Sequence, residues 1–284
     1  MPAAVQADLD GRTCLVTGAS GGIGLAAARE LARLGARVVL AVRSPERGEA
    51  ARRAIGEATG SAAVEVAVVD LSSQASISAF ARELPARHGR LDVLVNNAGV
   101  WTSRKRRSAD GIELTWATNV LGYHLATVLL LPLLRAAGRA RVVNVASDMA
   151  GGLDLTDVQY DRRPWTGRAA YAQSKQADRL LTWALARRLV DTGVTANAMH
   201  PGFVATGIFA KGGGVLGRVA SLYARLRART PQQGADTVVY LATSPEVEGR
   251  SGRYWADRQE RPCGFRDERL EETLWLLCEA MTAA

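Results

Sequence analysis

Tyr171 and Lys175 are the residues of this chain whose types and spacing most directly suggest chemistry. Of the 36 basic residues, three are lysines and the rest are arginines. With six tyrosines and three lysines in the chain, composition alone gives about 0.06 Tyr-x-x-x-Lys pairs, yet "YAQSK" (171–175) contains one. In a helix, these side chains share a face one turn apart. The spacing therefore indicates a functional pair.

The chemistry of such a pair follows from charge. A tyrosine with its usual pKa of about 10 is a poor base near neutrality, but a nearby ammonium favours the phenolate and lowers that pKa. The tyrosine then becomes a usable proton donor or acceptor for a carbonyl/alcohol pair. A lysine is a compact point charge that an arginine fork does not replace. We therefore interpret Tyr171 as an acid/base and Lys175 as the cation that tunes it.

The elements that must position this pair alternate along the chain. Short apolar runs predict strands at 13–18, 37–42, 64–71, 91–99, 141–147 and 194–202, and the first two strands flank a helical pattern at 24–35. Near-continuous Val, Leu and Ile runs are typical of parallel strands buried on both faces. The alternation predicts an α/β fold with a doubly wound, mostly parallel sheet flanked by helices on both faces.

Composition excludes several classes of protein. At 48% hydrophobic and 23% charged residues, the chain is typical of soluble globular proteins. The net charge of +8 is spread out apart from "SRKRR" (103–107), and no nucleic-acid-binding motif accompanies it. We interpret that cluster as a solvated basic loop and predict no nucleic-acid partner. The three cysteines lack paired spacing and the three histidines are scattered, so neither a disulfide framework nor a metal site is predicted.

The sequence also bears on location. The N-terminal stretch lacks the basic and apolar regions of a signal peptide. The most apolar stretch, at 120–134, is too short and too interrupted to span a bilayer comfortably. We predict a buried helix there, no membrane span and a cytoplasmic protein.

A glycine-rich turn, "TGASGGIG" (17–24), follows the first predicted strand and opens the first helix. Glycines at 18, 22 and 24 let the turn tighten and let the backbone approach a pyrophosphate at the helix N-terminus. The strand before it and the helix after it supply the context that a lone glycine motif lacks. The turn predicts dinucleotide binding, with a purely structural turn as the alternative.

The end of the second strand distinguishes the two nicotinamide dinucleotides. An acidic residue there binds the ribose 2′-hydroxyl, whereas an arginine accommodates a 2′-phosphate. This chain reads "LAVRS" (40–44), with Val42 at the acidic position, Arg43 next to it and Ser44 as a further hydrogen-bonding group. The pattern favours NADP(H), and the alternative is that Arg43 is an ordinary surface arginine.

Taken together, these motifs resemble the short-chain dehydrogenase/reductase family. The resemblance covers nearly the whole chain, in the family's order and spacing. It is carried by "TGASGGIG" (17–24), "VVDL" (68–71), "NNAG" (96–99), Asn119, Ser147, "YAQSK" (171–175) and "HPG" (200–202).

The resemblance implies a Rossmann-type single domain and a catalytic set of Asn119, Ser147, Tyr171 and Lys175. Ser147 would hold the substrate oxygen beside Tyr171, and Asn119 would order a water that connects Lys175 to solvent. The implied domain spans 1–284, divided into a cofactor-binding core with the catalytic residues (10–202), a substrate loop (203–230) and a C-terminal completion (231–284).

The resemblance also implies the residues around NADP(H). Asp70 would lie beside the adenine, and Asn96 would line the cofactor cleft. Asn97 would line it too or would brace the central strands. The full implied cofactor-binding set is Gly18, Ser20, Gly22, Ile23, Gly24, Arg43, Asp70, Leu71, Asn97, Ala98, Gly99, Tyr171, Lys175, Pro201, Gly202 and Thr206.

Several segments resemble the retinol-dehydrogenase-like branch of the family. They are "AVRS" (41–44), "SADGIE" (108–113), "LDLTDVQYDRRPW" (153–165) and the ending 252–281. Val120 stands where that branch usually has a histidine, and the N-terminal membrane anchor of its animal members is not seen. These departures argue against retinol itself and against membrane association.

The substrate is predicted to be a bulky, apolar carbonyl or alcohol. Two loops, 148–170 and 203–230, would form an apolar pocket, and "KGGGVLG" (211–217) suggests a mobile lid. Ordinary loop packing is the alternative for about half of the apolar residues in these loops. The candidates are Met149, Leu153, Trp165, Phe203, Ile208, Phe209, Val215, Leu216 and Tyr223.

Two helical stretches, 120–134 and 174–189, are apolar over more than one stripe, and the family uses equivalent helices for dimer contacts. The resemblance therefore implies a homodimer or homotetramer. The tail pattern at 267–281 predicts a helix that packs against its own subunit.

The leading hypothesis is an NADP(H)-dependent oxidoreductase that interconverts a bulky apolar carbonyl and its alcohol. One alternative is a non-enzymatic NADP(H) sensor on the same fold, which would not need the intact catalytic set. Another is a sugar-nucleotide epimerase, which shares Tyr-x-x-x-Lys but usually carries a larger C-terminal substrate domain.

Overall fold

The strands of the computed structural model, which describes residues 7–204 and 228–282, form one sheet with the order β3-β2-β1-β4-β5-β6-β7-β8. All neighbouring pairs are parallel except β7 and β8. The strands are β1 (Thr13–Thr17), β2 (Arg37–Val42), β3 (Val64–Val68), β4 (Val93–Asn96), β5 (Ala140–Val145), β6 (Val194–Met199), β7 (Tyr254–Ala256) and β8 (Gln259–Glu260).

Helices cover both faces of this sheet, so the predicted doubly wound α/β fold is confirmed. One core lies under α1, α2 and α7, and the other lies under α3 to α6 and α8. The helices are α1 (Gly22–Arg33), α2 (Pro45–Thr59), α3 (Gln74–Arg87), α4 (Leu114–Trp116), a π-helical turn (Ala117–Leu121), α5 (Gly122–Ala136), α6 (Gly167–Arg188), α7 (Pro231–Thr243) and α8 (Glu268–Thr282).

The central strands are buried along their length, which explains their continuous apolar sequence. Every residue of β1 and β4 is buried, and Leu15 and Leu94 are fully enclosed. Burying each of these side chains contributes about 1.5–3 kcal/mol. Strands β2 and β3 lie on one side of β1, and β4, β5 and β6 lie on the other. This reversal of the strand order between β1 and β4 creates the crevice where open α/β sheets bind ligands.

Local signals explain where α2 begins and ends beside this crevice. The Ser44 hydroxyl accepts the backbone N–H of Arg47, and Pro45 occupies the first turn. Gly60 ends the helix in the left-handed conformation at φ 72°, which a glycine adopts without strain. The helix therefore starts directly after the strand end that carries Arg43.

The apolar stretch at 120–134 belongs to a longer helical segment, Leu114–Ala136, that is 23 residues long and whose most apolar 18-residue window has a mean hydropathy of 1.5. By length and composition it could cross a membrane, so the prediction that it is too short was wrong. Within it, 78% of the most apolar window is buried inside the protein. That burial is typical of the core helix of a globular domain, so the predicted buried helix is confirmed.

The tail helix α8 packs against α6 of the same subunit, as its pattern predicted. Leu274 and Cys278 are fully enclosed, and the Arg188 guanidinium lies 4.3 Å above the Trp275 ring and donates to Glu272 at 2.6 Å. This packing accounts for part of the apolar surface of α6 within one subunit. The homodimer or homotetramer stays a prediction.

Candidate active site

A cleft of about 500 Å³ opens at the carboxyl ends of the central strands. Its volume lies in the range of small-molecule and cofactor sites. The structure brings most of the predicted site residues to it. Those that line the cleft are Gly18, Ser20, Gly22, Ile23, Arg43, Asp70, Leu71, Asn97, Ala98, Gly99, Ser147, Tyr171, Lys175, Pro201 and Gly202.

The glycine turn lies against one wall of this cleft and leads into α1. Gly18 and Gly22 have φ values of 66° and 57°, which a residue with a Cβ rarely adopts. A Cβ on Gly18 would also lie 2.8 Å from the Ala98 Cα. The first N–H groups of α1 have no partner within the helix and favour an anion. This cradle fits the pyrophosphate of a dinucleotide.

Gly24 lies behind the turn rather than in the cleft. A Cβ there would come within 2.4 Å of Asn97 Nδ2 and 2.6 Å of the Gly18 carbonyl oxygen. The prediction that Gly24 lines the site is therefore corrected, because this glycine permits close packing beneath the turn. Thr206 lies outside the described residues.

Two arginines stand at the other end of the cofactor wall. Arg43 follows β2 as predicted, and Arg47 on the first turn of α2 also lines the cleft. The Ser44 hydroxyl donates its proton to Glu46 at 2.7 Å, so this proton is not available to a cofactor phosphate. Arg47 was not predicted from the sequence, where its only signal was a second arginine four residues after Arg43.

Asn96 and Asn97 point in different directions although they are adjacent. Asn96 is fully buried, and its amide donates to Thr127 Oγ1 at 2.9 Å and to Asn144 Oδ1 at 2.8 Å. The prediction that Asn96 lines the cleft was wrong, because its side chain braces the strands below. Asn97 borders the cleft and also donates to the Thr17 carbonyl at 2.8 Å.

Helix α6 places Tyr171 and Lys175 on one face, as their spacing predicted. Tyr171 is buried to 8% exposure and Lys175 to 3%. The Lys175 Nζ lies 5.8 Å from the centroid of the Tyr171 ring and donates to the Val145 carbonyl at 2.9 Å and to Asp178 Oδ2 at 2.7 Å. Lys175 therefore sits behind Tyr171, at the end of β5.

An aromatic wall borders the candidate acid/base. The Trp101 ring lies 5.1 Å from the Tyr171 ring at an interplanar angle of 40°, and Gly167 allows this approach because a Cβ there would come within 3.1 Å of Trp101 Nε1. The sequence did not predict Trp101 at the site, because nothing in "NNAGVW" (96–101) indicates that its ring packs against Tyr171 on α6.

Ser147 lies at the end of β5 and borders the cleft near Tyr171. Its hydroxyl accepts the Met149 N–H at 3.1 Å. Its carbonyl accepts a hydrogen bond from the guanidinium of Arg179, which lies 4.0 Å above the Tyr254 ring. Arg179, two turns along α6 from Tyr171, was also missed, and it holds the strand end that carries Ser147.

Asn119 lies in the π-helical turn, a local structure that is frequent at functional sites. Its side chain is fully buried, accepts the Val100 N–H at 2.8 Å and donates to Ser174 Oγ at 3.0 Å. The structure thus places Asn119 behind the cleft as a brace between α6 and the 97–101 loop. Its part in ordering a water stays a prediction.

The predicted substrate residues divide into three groups. Met149 and Phe203 border the cleft, and Phe203 is 52% exposed. Leu153 packs against the core, and Trp165 Nε1 donates to Glu113 at 3.3 Å, so these two are corrected to packing roles. The others, with the predicted lid at 211–217, lie outside the described residues.

The described histidines, cysteines and acidic residues form no group of three that could hold a metal ion. The cysteines Cys14, Cys263 and Cys278 are free thiols.

Comparisons with known proteins identify the family of this chain. The sequence profile of the short chain dehydrogenases matches residues 12–213. The chain belongs to the short-chain dehydrogenase/reductase family. The chain is therefore assigned to a family of oxidoreductases.

The similar curated proteins place this short-chain dehydrogenase/reductase in the retinol-dehydrogenase-like branch. The chain is 37% identical to Retinol dehydrogenase 14 of Homo sapiens, over 96% of this chain and 87% of that protein. It is 41% identical to Polyprenol dehydrogenase of Mus musculus, over 93% and 82% of the two chains.

A solved structure from Beutenbergia cavernae is also similar to this short-chain dehydrogenase/reductase. That protein is classed as an NAD(P)-dependent gluconate 5-dehydrogenase and contains NADP at low occupancy. The TM-score is 0.70 at 32% identity, and the likeness covers 88% of this chain and 96% of the other.

Proposed function

We propose that this enzyme is an NADP(H)-dependent oxidoreductase that interconverts a bulky apolar carbonyl compound and its alcohol. The observation that carries the proposal is the buried Lys175 ammonium placed behind Tyr171 at the cleft. A nicotinamide cofactor supplies or accepts the hydride at the substrate carbon. The rest of the chemistry belongs to the protein.

In the reducing direction, the Tyr171 hydroxyl gives its proton to the substrate oxygen as that oxygen gains negative charge. Lys175 stabilises the phenolate that forms, because an ammonium nearby favours the charged state of a tyrosine. Ser147 donates a hydrogen bond to the same oxygen. The oxidising direction reverses each step, so that the phenolate takes the proton of the alcohol.

The preference for NADP(H) is supported by Arg43 and Arg47. Both line the cleft at the end of β2, where a 2′-phosphate would lie beyond the adenosine ribose. The strand end carries Val42 in place of a carboxylate, so no acidic side chain at that position opposes a phosphate.

An apolar substrate is supported by apolar side chains at the cleft. Trp101, Met149 and Phe203 border it. Two similar proteins are named for retinol and polyprenol, which are apolar alcohols. A cytoplasmic location and a homodimer or homotetramer complete the proposal, and both rest on the sequence.

A panel of carbonyl compounds tests the reaction. We expect NADPH-dependent reduction of aldehydes and ketones, with kcat/KM rising about 4-fold for each added methylene that the pocket buries, since one CH₂ contributes about 0.8 kcal/mol. Initial rates of NADPH oxidation over a homologous series of aldehydes give the slope. Tight NADPH binding without turnover, in either direction and with every compound, would instead favour the non-enzymatic sensor.

The cofactor preference is tested by Arg43→Ala and Arg47→Ala. Each change removes a charge-assisted contact worth about 1.5–3 kcal/mol, so we expect each to raise the Kd of NADPH about 10- to 100-fold. The Kd of NADH, which lacks the 2′-phosphate, should change less than about 2-fold. Fluorescence titration measures both.

Arg52→Ala is the matched control for these variants. Arg52 lies on the same helix α2 but pairs with Glu49 at 2.8 Å and does not border the cleft. The Arg52→Ala variant should bind NADPH with the affinity of the wild type. Equal losses of NADPH and NADH affinity in Arg43→Ala would contradict a 2′-phosphate contact.

A further inference from the structure

The ammonium group of Lys175 is almost entirely enclosed by protein where the residue borders the cleft. The residue is 3% exposed and its Nζ is held by the Val145 carbonyl and by Asp178. Burial disfavours the charged form of a lysine and can lower its pKa by up to about 3–5 units. A lysine enclosed in this way without a counter-charge would be neutral over much of the physiological range, and it could not favour the Tyr171 phenolate.

Asp178 supplies a counter-charge. It lies three residues after Lys175 on α6, is 1% exposed, and its Oδ2 is 2.7 Å from Lys175 Nζ. Burial works against the charge of Lys175, but the combined effect of Asp178, Tyr123 and Tyr171 outweighs it and raises the pKa of Lys175 above its usual value. Burial raises the pKa of Asp178 to about 6 against the effect of Lys175, so the carboxylate is ionised at pH 8.

A small cavity adjoins the other side of this carboxylate. It has a volume of about 20 Å³, lies between α5, α6 and α8, and is bordered by Tyr123, His124, Asp178 and Trp275. Within the described part of the chain, Asp178 Oδ1 and His124 Nδ1 have no hydrogen-bond partner. The volume suits one water molecule, which would solvate the second oxygen of Asp178.

The other groups that face Asp178 do not replace Lys175 as its partner. Burial raises the pKa of Tyr123 on α5 and of Cys278 on α8, so both are neutral. Burial lowers the pKa of His124 to about 4, so it too is neutral. Arg179 on α6 donates to the Ser147 carbonyl.

We propose that Asp178 is a positioning residue, the buried counter-ion that keeps Lys175 positively charged behind Tyr171. The proposal rests on the proposed function, in which the positive charge of Lys175 stabilises the Tyr171 phenolate. It adds a fifth member to the catalytic arrangement, one that acts through Lys175 and does not touch the substrate.

The small number of lysines makes the charge of Lys175 directly measurable. Protein labelled with ¹³C at lysine Cε gives three signals, and the variants Lys105→Arg and Lys211→Arg assign that of Lys175 by elimination. In the wild type, we expect the Lys175 signal to keep its protonated shift beyond pH 10.4, the usual lysine value. In Asp178→Asn, which preserves the size of the side chain, we expect its midpoint to fall by about two pH units or more.

A lysine and an aspartate at the surface supply the matched control. Lys105 Nζ lies 3.1 Å from Asp161, and both side chains are partly exposed. Solvent screens this pair, so Asp161→Asn should move the midpoint of Lys105 by less than about half a pH unit.

Kinetics supply a second readout. For carbonyl reduction, we expect the alkaline decline of kcat to move to lower pH in Asp178→Asn, in step with the Lys175 midpoint, with little loss of kcat near pH 6. A general loss of kcat at every pH with an unmoved decline would indicate a merely structural role and would overturn the proposal.

The titration decides the proposal independently of turnover. A Lys175 midpoint below the usual lysine value in the wild type would overturn it even if Asp178→Asn failed to fold. An unchanged midpoint in a folded Asp178→Asn would overturn it as well. If the wild type turned over no carbonyl or alcohol while the midpoint moved as expected, the proposed function would fail and the counter-ion role of Asp178 would stand.

Discussion

Replacing Tyr171 with phenylalanine should lower kcat for carbonyl reduction about 10²- to 10⁴-fold, the range of positioned acid/base catalysis. The Kd of NADPH should stay within about 2-fold of the wild type. The ring keeps its place beside Trp101, while the proton that must reach the substrate oxygen is lost. Steady-state kinetics with the best aldehyde of the series, together with fluorescence titration of NADPH, give the two numbers.

Tyr240→Phe is the control for this substitution. Tyr240 lies on α7, and its hydroxyl donates to Glu246 at 2.8 Å. Tyr240 does not border the cleft, so removal of its hydroxyl should leave kcat within about 2-fold of the wild type. A Tyr171→Phe enzyme with near wild-type turnover would show that another group delivers the proton, and the assignment of Tyr171 would be lost.

The second large effect concerns stability. Lys175→Met should lower the free energy of unfolding at pH 8 by about 3–5 kcal/mol, because it leaves the Asp178 carboxylate buried without its partner. The loss should shrink as the pH falls from 8 towards 5. Since burial already raises the pKa of Asp178, a lone carboxylate takes up a proton in this window and no longer carries a buried charge. Urea unfolding at several pH values measures the effect.

A double substitution separates the effect of the buried charge on stability from the effect of lost packing. In Lys175→Met/Asp178→Asn, no buried charge remains, so most of the lost stability should return at pH 8. Lys105→Met, which breaks the exposed pair with Asp161, should cost less than about 1 kcal/mol. A Lys175→Met protein as stable as the wild type at pH 8 would mean that Asp178 has another partner or is already protonated.

Features set by neighbouring residues were predictable from the sequence. The glycine turn, the strand end with Arg43 and the shared face of Tyr171 and Lys175 each follow from spacing within one or two elements. The parallel sheet followed from continuous apolar strands. These patterns depend on local geometry, which does not change with the way the elements pack.

Features set by contacts between distant segments were not predictable in the same way. Asn96 was expected at the cleft, and Asn97 either there or as a brace of the central strands. Only the assembled sheet shows that the side chain of Asn96, the last residue of β4, faces the buried interior. Trp101 reaches Tyr171 across 70 positions of sequence. The burial of Asp178, which makes its charge consequential, depends on how α5 and α8 close over α6.

The hydrogen bonds that link Thr17 to Asn97 and Ala98 affect how the chain can fold during its synthesis. The Thr17 hydroxyl accepts the N–H groups of Asn97 and Ala98 at 2.8 and 3.0 Å, and the Asn97 amide donates back to the Thr17 carbonyl. The shape of the glycine turn is thus completed by residues about 80 positions later. During synthesis, the first strand and helix cannot form a finished nucleotide cradle until β4 has left the ribosome and paired with β1. Because such long-range parallel pairing is slow, cofactor binding would stabilise the assembled sheet by mass action and would give little support to its fragments.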